Sequence, residues 1–255
     1  MSLIKSQKEI QALLEGGKKL ADVLQSVVEL VRPGVTTKEL DELAEKLITA
    51  CGGTPSFKGY SAFGARNAYP ASLCTSINDE VVHGIPSEKR VLKEGDIIGL
   101  DIGMKYQGLF TDMAVTVGVG RIDADSQKLI DVTHESLEKG IAEVHPGARI
   151  GDIGEAVQVF VESNGFGVVR ELVGHGVGHA VHEEPEVPNF GKKGQGLKLE
   201  EGMVLALEPM VTARSPRVLL AKDEWTWKTK DGSRAAHFEH TVVVTKDGVR
   251  VLTIV

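Results

Sequence analysis

Two aspartates in an apolar setting carry the first chemical signal in this sequence. Residues 92–117 read LKEGDIIGLDIGMKYQGLFTDMAVTV. Ile97, Ile98 and Leu100 precede Asp101, and Met113, Ala114, Val115 and Val117 follow Asp112. Such runs are the pattern of buried strands, and Gly103 and Gly108 between the aspartates suit a hairpin. A buried carboxylate is costly unless it is paired, hydrogen-bonded or bound to a metal. Two of them on neighbouring strands call for a shared cation. The pattern returns in residues 199–210, LEEGMVLALEPM, with Glu208 in the place of Asp101. It returns again in residues 238–245, FEHTVVVT, with Glu239 in the place of Asp112. The chain thus carries four carboxylates on four strand-like segments, in two related pairs.

Histidines cluster between those pairs. Residues 171–185, ELVGHGVGHAVHEEP, hold His175, His179 and His182 among Gly174, Gly176 and Gly178. The glycines disfavour a helix and allow close backbone approach. The segment is not HExxH, which excludes the helical zinc-peptidase arrangement. His83 in VVHGIP parallels His182 in AVHEEP, so one histidine from each half is expected to face a common cleft. Asp101, Asp112, His175, Glu208 and Glu239 together are too anionic for one cation and suit two divalent ions. Carboxylates that bridge two ions ~3.5–4 Å apart support activation of water and polarisation of a carbonyl. One imidazole among oxygen ligands favours manganese, iron or cobalt over a structural zinc site. A lone apolar-flanked aspartate is most often a turn or strand-end residue; the repeated pairing outweighs that here. His179 is read as solvated or next to the site, Cys51 as core, Trp227 as packing and residues 222–224 as solvated surface.

The elements around these residues repeat as well. A helix starts at Ser6, with Glu9 completing a capping box, and ends before Pro33-Gly34. A second starts at Thr36, with Glu39 three residues on, and stops at Gly52-Gly53. Short strands are expected at 72–77 and 80–82, a third helix at 126–144 and a fourth at 150–163. Pro33-Gly34 matches Pro146-Gly147 at one constant shift. The same shift takes Leu40 to Ile153, Ala44 to Val157, Leu47 to Phe160 and Gly52 to Gly165. A repeat of half the chain length implies a duplicated α+β unit with a pseudo-two-fold axis, not a solenoid. Residues 191–196, GKKGQG, are expected to form a surface loop, and residues 215–232, with Trp225 and Trp227, a hairpin or flap.

The 255 residues fit one large domain or two half-domains, and the net charge of −7 offers no global reason to bind nucleic acid. The start, MSLIKSQKEI, lacks the apolar core of a signal peptide, and no apolar run approaches the ~20 residues of a membrane span. Cys51 and Cys74 make neither a disulfide framework nor a CxxC site. A cytosolic enzyme or binding protein is the expectation.

In SINDEVVHGIP, LDIGMKYQGLFTDMAVT, GHGVGHAVHEEP, LALEPM and FEHTVVV the chain resembles the type I methionine aminopeptidases. The pieces occur in order over most of the chain. The resemblance implies an α+β "pita-bread" fold, with helices covering a curved antiparallel sheet. It implies a single catalytic domain of two halves, about 1–120 and 121–255. It also implies a monomeric cytoplasmic enzyme of the short bacterial subclass, acting on nascent polypeptides without nucleic acid or membrane, with the ribosome as a candidate partner. The activity implied is removal of the initiator methionine when the second residue is small. Asp101 resembles the bidentate ligand of one metal, Asp112 and Glu239 the carboxylates bridging both, and His175 and Glu208 the remaining ligands of the other. The two ions would be drawn from cobalt, manganese, iron and zinc. His83 and His182 resemble the histidines that contact the scissile amide and the transition state, and Glu208 resembles the proton shuttle.

Tyr69, Cys74 and Trp225 fall where the family lines its first-residue pocket. Phe63, Arg66 and Val181 stand where a Cys, a Tyr and a Phe are common, so an altered pocket with methionine still preferred is expected. An Xaa-Pro aminopeptidase or prolidase uses similar ligands but carries an extra N-terminal domain, for which a first helix starting near residue 6 leaves no room. A non-catalytic interaction protein on the same scaffold is the remaining alternative; such proteins lose metal ligands, and all five are present.

Overall fold

The structure is a computed structural model and describes residues 2–61 and 66–254. α1 (Gln7–Leu30) opens at Ser6, whose hydroxyl accepts from the Glu9 N–H while the Glu9 carboxylate accepts from the Ser6 N–H. α2 (Thr37–Ala50) opens with the same reciprocal pair, Thr36 and Glu39. Three strands come next: β1 (Thr54–Pro55), β2 (Leu73–Ile77) and β3 (Glu80–Val82). The long hairpin β4 (Ile97–Tyr106) and β5 (Leu109–Gly118) carries the two aspartates. α3 (Ala124–Ala142) starts two residues before the expected Ser126, because the Asp123 carboxylate caps the Ser126 N–H. α4 (Ile150–Ser163) has the expected bounds.

The second half continues with β6 (Gly167–Val168), β7 (Gly174–Gly176), β8 (Glu183–Val187), β9 (Val204–Leu207) and β10 (Met210–Thr212). β11 (Val218–Leu220) and β12 (Trp227–Thr229) form the expected hairpin, which adds to β3. β13 (Ala235–His237), β14 (Glu239–Thr245) and β15 (Gly248–Val251) end the series. Residues 191–196 are an exposed loop, as expected.

The repeat read from the sequence has a backbone counterpart. α2 and α4 are both 14 residues long. Each follows a Pro-Gly turn whose glycine is left-handed, Gly34 at φ 92° and Gly147 at φ 94°. Each is followed by a second left-handed glycine, Gly52 at φ 84° and Gly165 at φ 86°. A β-carbon is disfavoured at all four, which explains why glycine recurs there.

The main sheet runs β1-β4-β5-β14-β9-β7-β8, with β2 on β4 and β15 on β14, and all these pairs are antiparallel. The helices cover it through two apolar layers. Leu20, Leu24, Val27, Leu40 and Ala44 of α1 and α2 pack on Ile98, Leu100 and Ile102. Leu137, Ile141, Ile153 and Val157 of α3 and α4 pack on Leu205, Leu207 and Val242. The β5–β14 junction in the middle is short, with only Glu239↔Ala114 and His240↔Met113 in register. Thr241 reinforces it: its Oγ1 accepts from the Asp112 N–H at 2.9 Å and donates to the Asp112 carbonyl at 2.7 Å. No described helix is long and apolar enough to cross a membrane.

Candidate metal centre

Strand register brings the five sequence-derived donors to one face. Asp101 lies opposite Ala114, and Ala114 lies opposite Glu239. Asp112 is two residues from Ala114, and paired residues and residues two apart share a face. Asp101, Asp112 and Glu239 therefore project together. His240 pairs with Leu207, so Glu208 comes beside Glu239. His175 pairs with Ala206, two residues from Glu208. The glycines beside His175 make this approach feasible: a β-carbon on Gly174 would stand 2.5 Å from the Ala206 carbonyl oxygen.

The result is a buried cluster of acids. Asp101, Asp112, His175 and Glu239 are each less than a tenth exposed. His175 Nε2 is 3.4 Å from Glu208 Oε1. Its Nδ1 lies 2.9 Å from the Gly176 carbonyl, which can only accept, so Nδ1 carries the hydrogen and Nε2 is left as a free donor atom for a metal. Burial pushes Asp101 up to about 7 and Glu208 up to about 8. Burial and the neighbouring carboxylates drive Asp112 and Glu239 well above the usual carboxylate range. Burial holds His175 and His83 down at about 3, so both are neutral imidazoles at neutral pH.

These residues fit divalent cations. Asp101 Oδ1, Asp112 Oδ1 and Glu239 Oε1 are buried with no hydrogen-bond partner among the described residues. Four acids packed together cannot all ionise without compensating positive charge. Two donor groups emerge, Asp112–His175–Glu239 and Glu208–His237–Glu239, with the donor atoms of each within 4.8 Å of one another. Glu239 belongs to both, as a carboxylate shared between two ions would.

The cluster forms the floor of a cavity of about 590 Å³. His83, His182, Tyr69, Cys74 and Trp225 line it. His83 has a left-handed backbone, φ 61°, uncommon for a residue with a side chain and typical of functional positions. His182 sits edge-on to His175, ring centroids 4.4 Å apart, and its Nδ1 is 2.7 Å from the Tyr60 hydroxyl. Cys74 pairs with Asp101 across β2 and β4, which sets the pocket directly beside the acids. The Tyr69 hydroxyl donates to the carbonyls of Gly84 and Leu73, at 3.0 and 3.2 Å. Tyr69 and Trp225 meet edge to face at 5.2 Å.

Several expectations around the pocket are corrected. Phe63 lies outside the described residues. Arg66 is exposed and pairs with Glu224 at 3.3 Å, so it is not a pocket residue. Phe57 and Tyr60 line the cavity instead. The cause is a backbone closure that a count along the chain does not reveal. Tyr69 N–H donates to the Tyr60 carbonyl and Gly59 N–H to the Tyr69 carbonyl, both at 2.8 Å, which sets Tyr60 beside Tyr69. Val181 is buried in the cluster with Phe57, Tyr69 and Trp225. Trp227 and Glu224, read as packing and solvated surface, both reach the cavity. His179 turns away to Glu9, with Nε2 2.9 Å from Oε1.

His237 was missed by the sequence reading. It is 2% exposed and its Nε2 has no hydrogen-bond partner among the described residues. A signal was available: it precedes Glu239 by two residues, the spacing that puts two strand side chains on one face.

The sequence model of metallopeptidase family M24 matches residues 11–246. The methionine aminopeptidase of Clostridium perfringens is 48% identical, with all of both chains covered. The crystal structure of the methionine aminopeptidase from Thermotoga maritima superposes with a TM-score of 0.95 at 44% identity, covering 99% of each chain. The prolidase of Pyrococcus horikoshii, at 23% identity and a TM-score of 0.78 over 63% of its chain, shares the fold alone. The helices over a curled antiparallel sheet are thus the pita-bread arrangement expected from the sequence. With that fold, this carboxylate–imidazole floor and full-length relatives on both comparisons, the chain belongs to metallopeptidase family M24 and, within it, to the methionine aminopeptidases.

Proposed function

We infer that this protein removes the N-terminal methionine from nascent polypeptides, with two divalent ions held by Asp101, Asp112, His175, Glu208 and Glu239. The observation that carries the reading is the convergence of three buried acids, the partly buried Glu208 and one neutral imidazole beside an aromatic pocket. When bound, the ions supply positive charge to polarise the scissile carbonyl and to lower the pKa of a water. Glu239, common to both donor groups, would be held in common by the two ions, and Asp101, Asp112, His175 and Glu208 would complete their ligand set.

The protein's own groups do the rest. Glu208, with its proton affinity raised by burial, takes up and returns a proton at its carboxylate oxygen. His182 accepts the Tyr60 hydroxyl hydrogen at Nδ1 and presents Nε2–H to the developing oxyanion. His83, neutral and fixed by its backbone, contacts the scissile amide. Phe57, Tyr60, Tyr69, Cys74 and Trp225 form the side-chain pocket. A methionine thioether is unbranched and polarisable, and it packs well against aromatic edges. The pocket opens directly beside the acids, so the residue it holds is the one bearing the free amine.

The two halves, about 1–120 and 121–255, act as one catalytic domain in this reading, since the first contributes Asp101, Asp112 and His83 and the second Glu208, Glu239, His175 and His182. In this reading the enzyme is a cytoplasmic monomer that meets N-termini as they emerge, with the ribosome as a partner. Sedimentation of the purified protein, alone and with ribosomes, tests both points.

Activity is tested by stripping the protein with a chelator and restoring cobalt, manganese, iron or zinc separately. Met-Ala-Ser and Ala-Pro peptides are then offered together. Metal-dependent methionine release from the first alone is the expected result, and the relative rates rank the metals. Cleavage only before proline would move the protein to the prolidase reading. Leu- or Phe-starting peptides outpacing Met-starting ones would overturn the assigned pocket.

A further inference from the structure

His237 is a buried imidazole that none of the roles above uses. It ends β13, and its backbone is fixed on both sides by Thr116, whose Oγ1 accepts from the His237 N–H at 2.9 Å and donates to the His237 carbonyl at 2.8 Å. It also pairs with Met210, two residues beyond Glu208. These contacts leave its Nε2 3.5 Å from Glu208 Oε2 and 4.0 Å from Glu239 Oε2. Glu208 is thereby held between two imidazoles, with Oε1 facing His175 at 3.4 Å and Oε2 facing His237. Its backbone is anchored too, because the Asn189 amide donates to the Glu208 carbonyl at 2.9 Å.

Resting on the metal-centre reading above, we propose that His237 is a positioning residue for Glu208: its Nε2–H engages Oε2 and so commits Oε1 to the metal side shared with His175. A carboxylate that coordinates through one oxygen is free to rotate and swap oxygens unless the other is held. Hydrogen-bond partners of metal-bound carboxylates set ligand orientation and basicity. A carboxylate that must also handle a proton depends on that orientation. Direct ligation through Nε2 is the competing role. Donor atoms of Glu208, His237 and Glu239 do converge within 4.8 Å of one another, but Glu208 presents a separate oxygen to each imidazole, Oε1 to His175 and Oε2 to His237, which favours positioning.

The test uses the full-length protein, stripped with a chelator, as wild type, His237→Ala, His237→Asn and His237→Gln. Manganese binding is measured by calorimetry and cobalt binding by visible absorption, with thermal melting of each stripped protein alongside. Loss of a hydrogen-bond partner to a metal ligand typically weakens metal binding ~10–100-fold. His237→Ala should show that loss while keeping two ions per chain. His237→Gln, whose amide N–H reaches Oε2, should recover to within about threefold, whereas the shorter His237→Asn should not. The Gln/Asn contrast remains decisive if the alanine variant fails to fold. Catalytic rates should follow the same order with KM for Met-Ala-Ser little changed. Wild-type affinity in His237→Ala would overturn the proposal. So would a glutamine variant as weak as alanine with the cobalt spectrum of a lost nitrogen ligand, since that would make His237 a ligand. A wild type that binds no divalent ion would instead remove the metal-centre reading itself, and this proposal with it.

Discussion

The hydroxyl of Tyr60 lies 2.7 Å from Nδ1 of His182, and the two rings are tilted at 56° with centroids 5.1 Å apart. Tyr60 follows α2 in the first half of the chain and His182 precedes β8 in the second. One hydrogen bond across the cavity therefore sets the direction of the histidine assigned to the oxyanion and, with the Tyr60 hydroxyl as donor, leaves the imidazole hydrogen on Nε2. Tyr60→Phe removes only that bond. A hydrogen bond of this kind contributes ~1 kcal/mol net, and ~1.4 kcal/mol is tenfold in rate. The variant should lose about fivefold in kcat, with metal content unchanged. Unaltered kcat would mean that His182 is oriented by other contacts.

His182 itself gives a sharper contrast. His182→Ala should lower kcat by more than Tyr60→Phe while metal analysis still finds two ions. Loss of an ion in that variant would show that His182 ligates, contrary to its role here.

Glu208→Gln removes a negative ligand and a proton carrier in one step. General acid–base catalysis contributes ~10²–10⁴-fold, so turnover of Met-Ala-Ser should fall to less than about a hundredth. Retention of more than about a tenth of the wild-type rate would contradict the assignment.

The raised carboxylates make the stripped protein sensitive to pH. Asp101 and Glu208 bind protons more tightly when folded, at about 7 and about 8 against ordinary values of 3.8 and 4.5. Their contribution is full below the unfolded values and is lost as pH rises through 7 and 8. Glu9, Asp123 and Asp231, each lowered to about 2 by hydrogen bonds, work in the opposite direction, but their contribution is lost only in acid, below the ordinary carboxylate range. The imidazoles of His83, His175 and His240, held by burial at about 3 to about 4, oppose this only up to the ordinary histidine value of 6.5, so between about pH 6.5 and about pH 8.5 the stripped protein should lose thermal stability, and the gap to the metal-loaded protein should widen. Melting curves of both forms across that range provide the check; a stripped protein equally stable at both ends would contradict the buried-acid account.

Gly174→Ala probes the close approach behind His175. The added carbon would meet the Ala206 carbonyl at 2.5 Å and the Val187 carbonyl at 3.2 Å, both backbone atoms that cannot swing away. Overpacking of this kind costs ~1–3 kcal/mol. Denaturant unfolding should show that loss, and metal affinity should fall with it because His175 must shift. A wild-type midpoint would mean that β7 and β9 separate more freely than their register suggests.

Much of this protein was legible before any coordinates. The capping boxes at Ser6–Glu9 and Thr36–Glu39, and the left-handed glycines after α2 and α4, are local devices whose signals lie within a few residues. The apolar runs around Asp101, Asp112, Glu208 and Glu239 announced buried acids, because no isolated carboxylate is stable in such surroundings. Their repetition in pairs pointed to one shared site. The parts decided only by tertiary structure depend on contacts between distant segments. Tyr60 replaced Arg66 in the pocket because two backbone hydrogen bonds set it beside Tyr69, which counting along the chain does not reveal. Trp227 entered the cavity because β12 pairs with β3. His237 reached Glu208 because β13 pairs with β10 and Thr116 clamps its backbone. Period and capping act over a few residues and are written in the local sequence, whereas which side chain faces which across a sheet is set by register, and register exists only once the strands have paired.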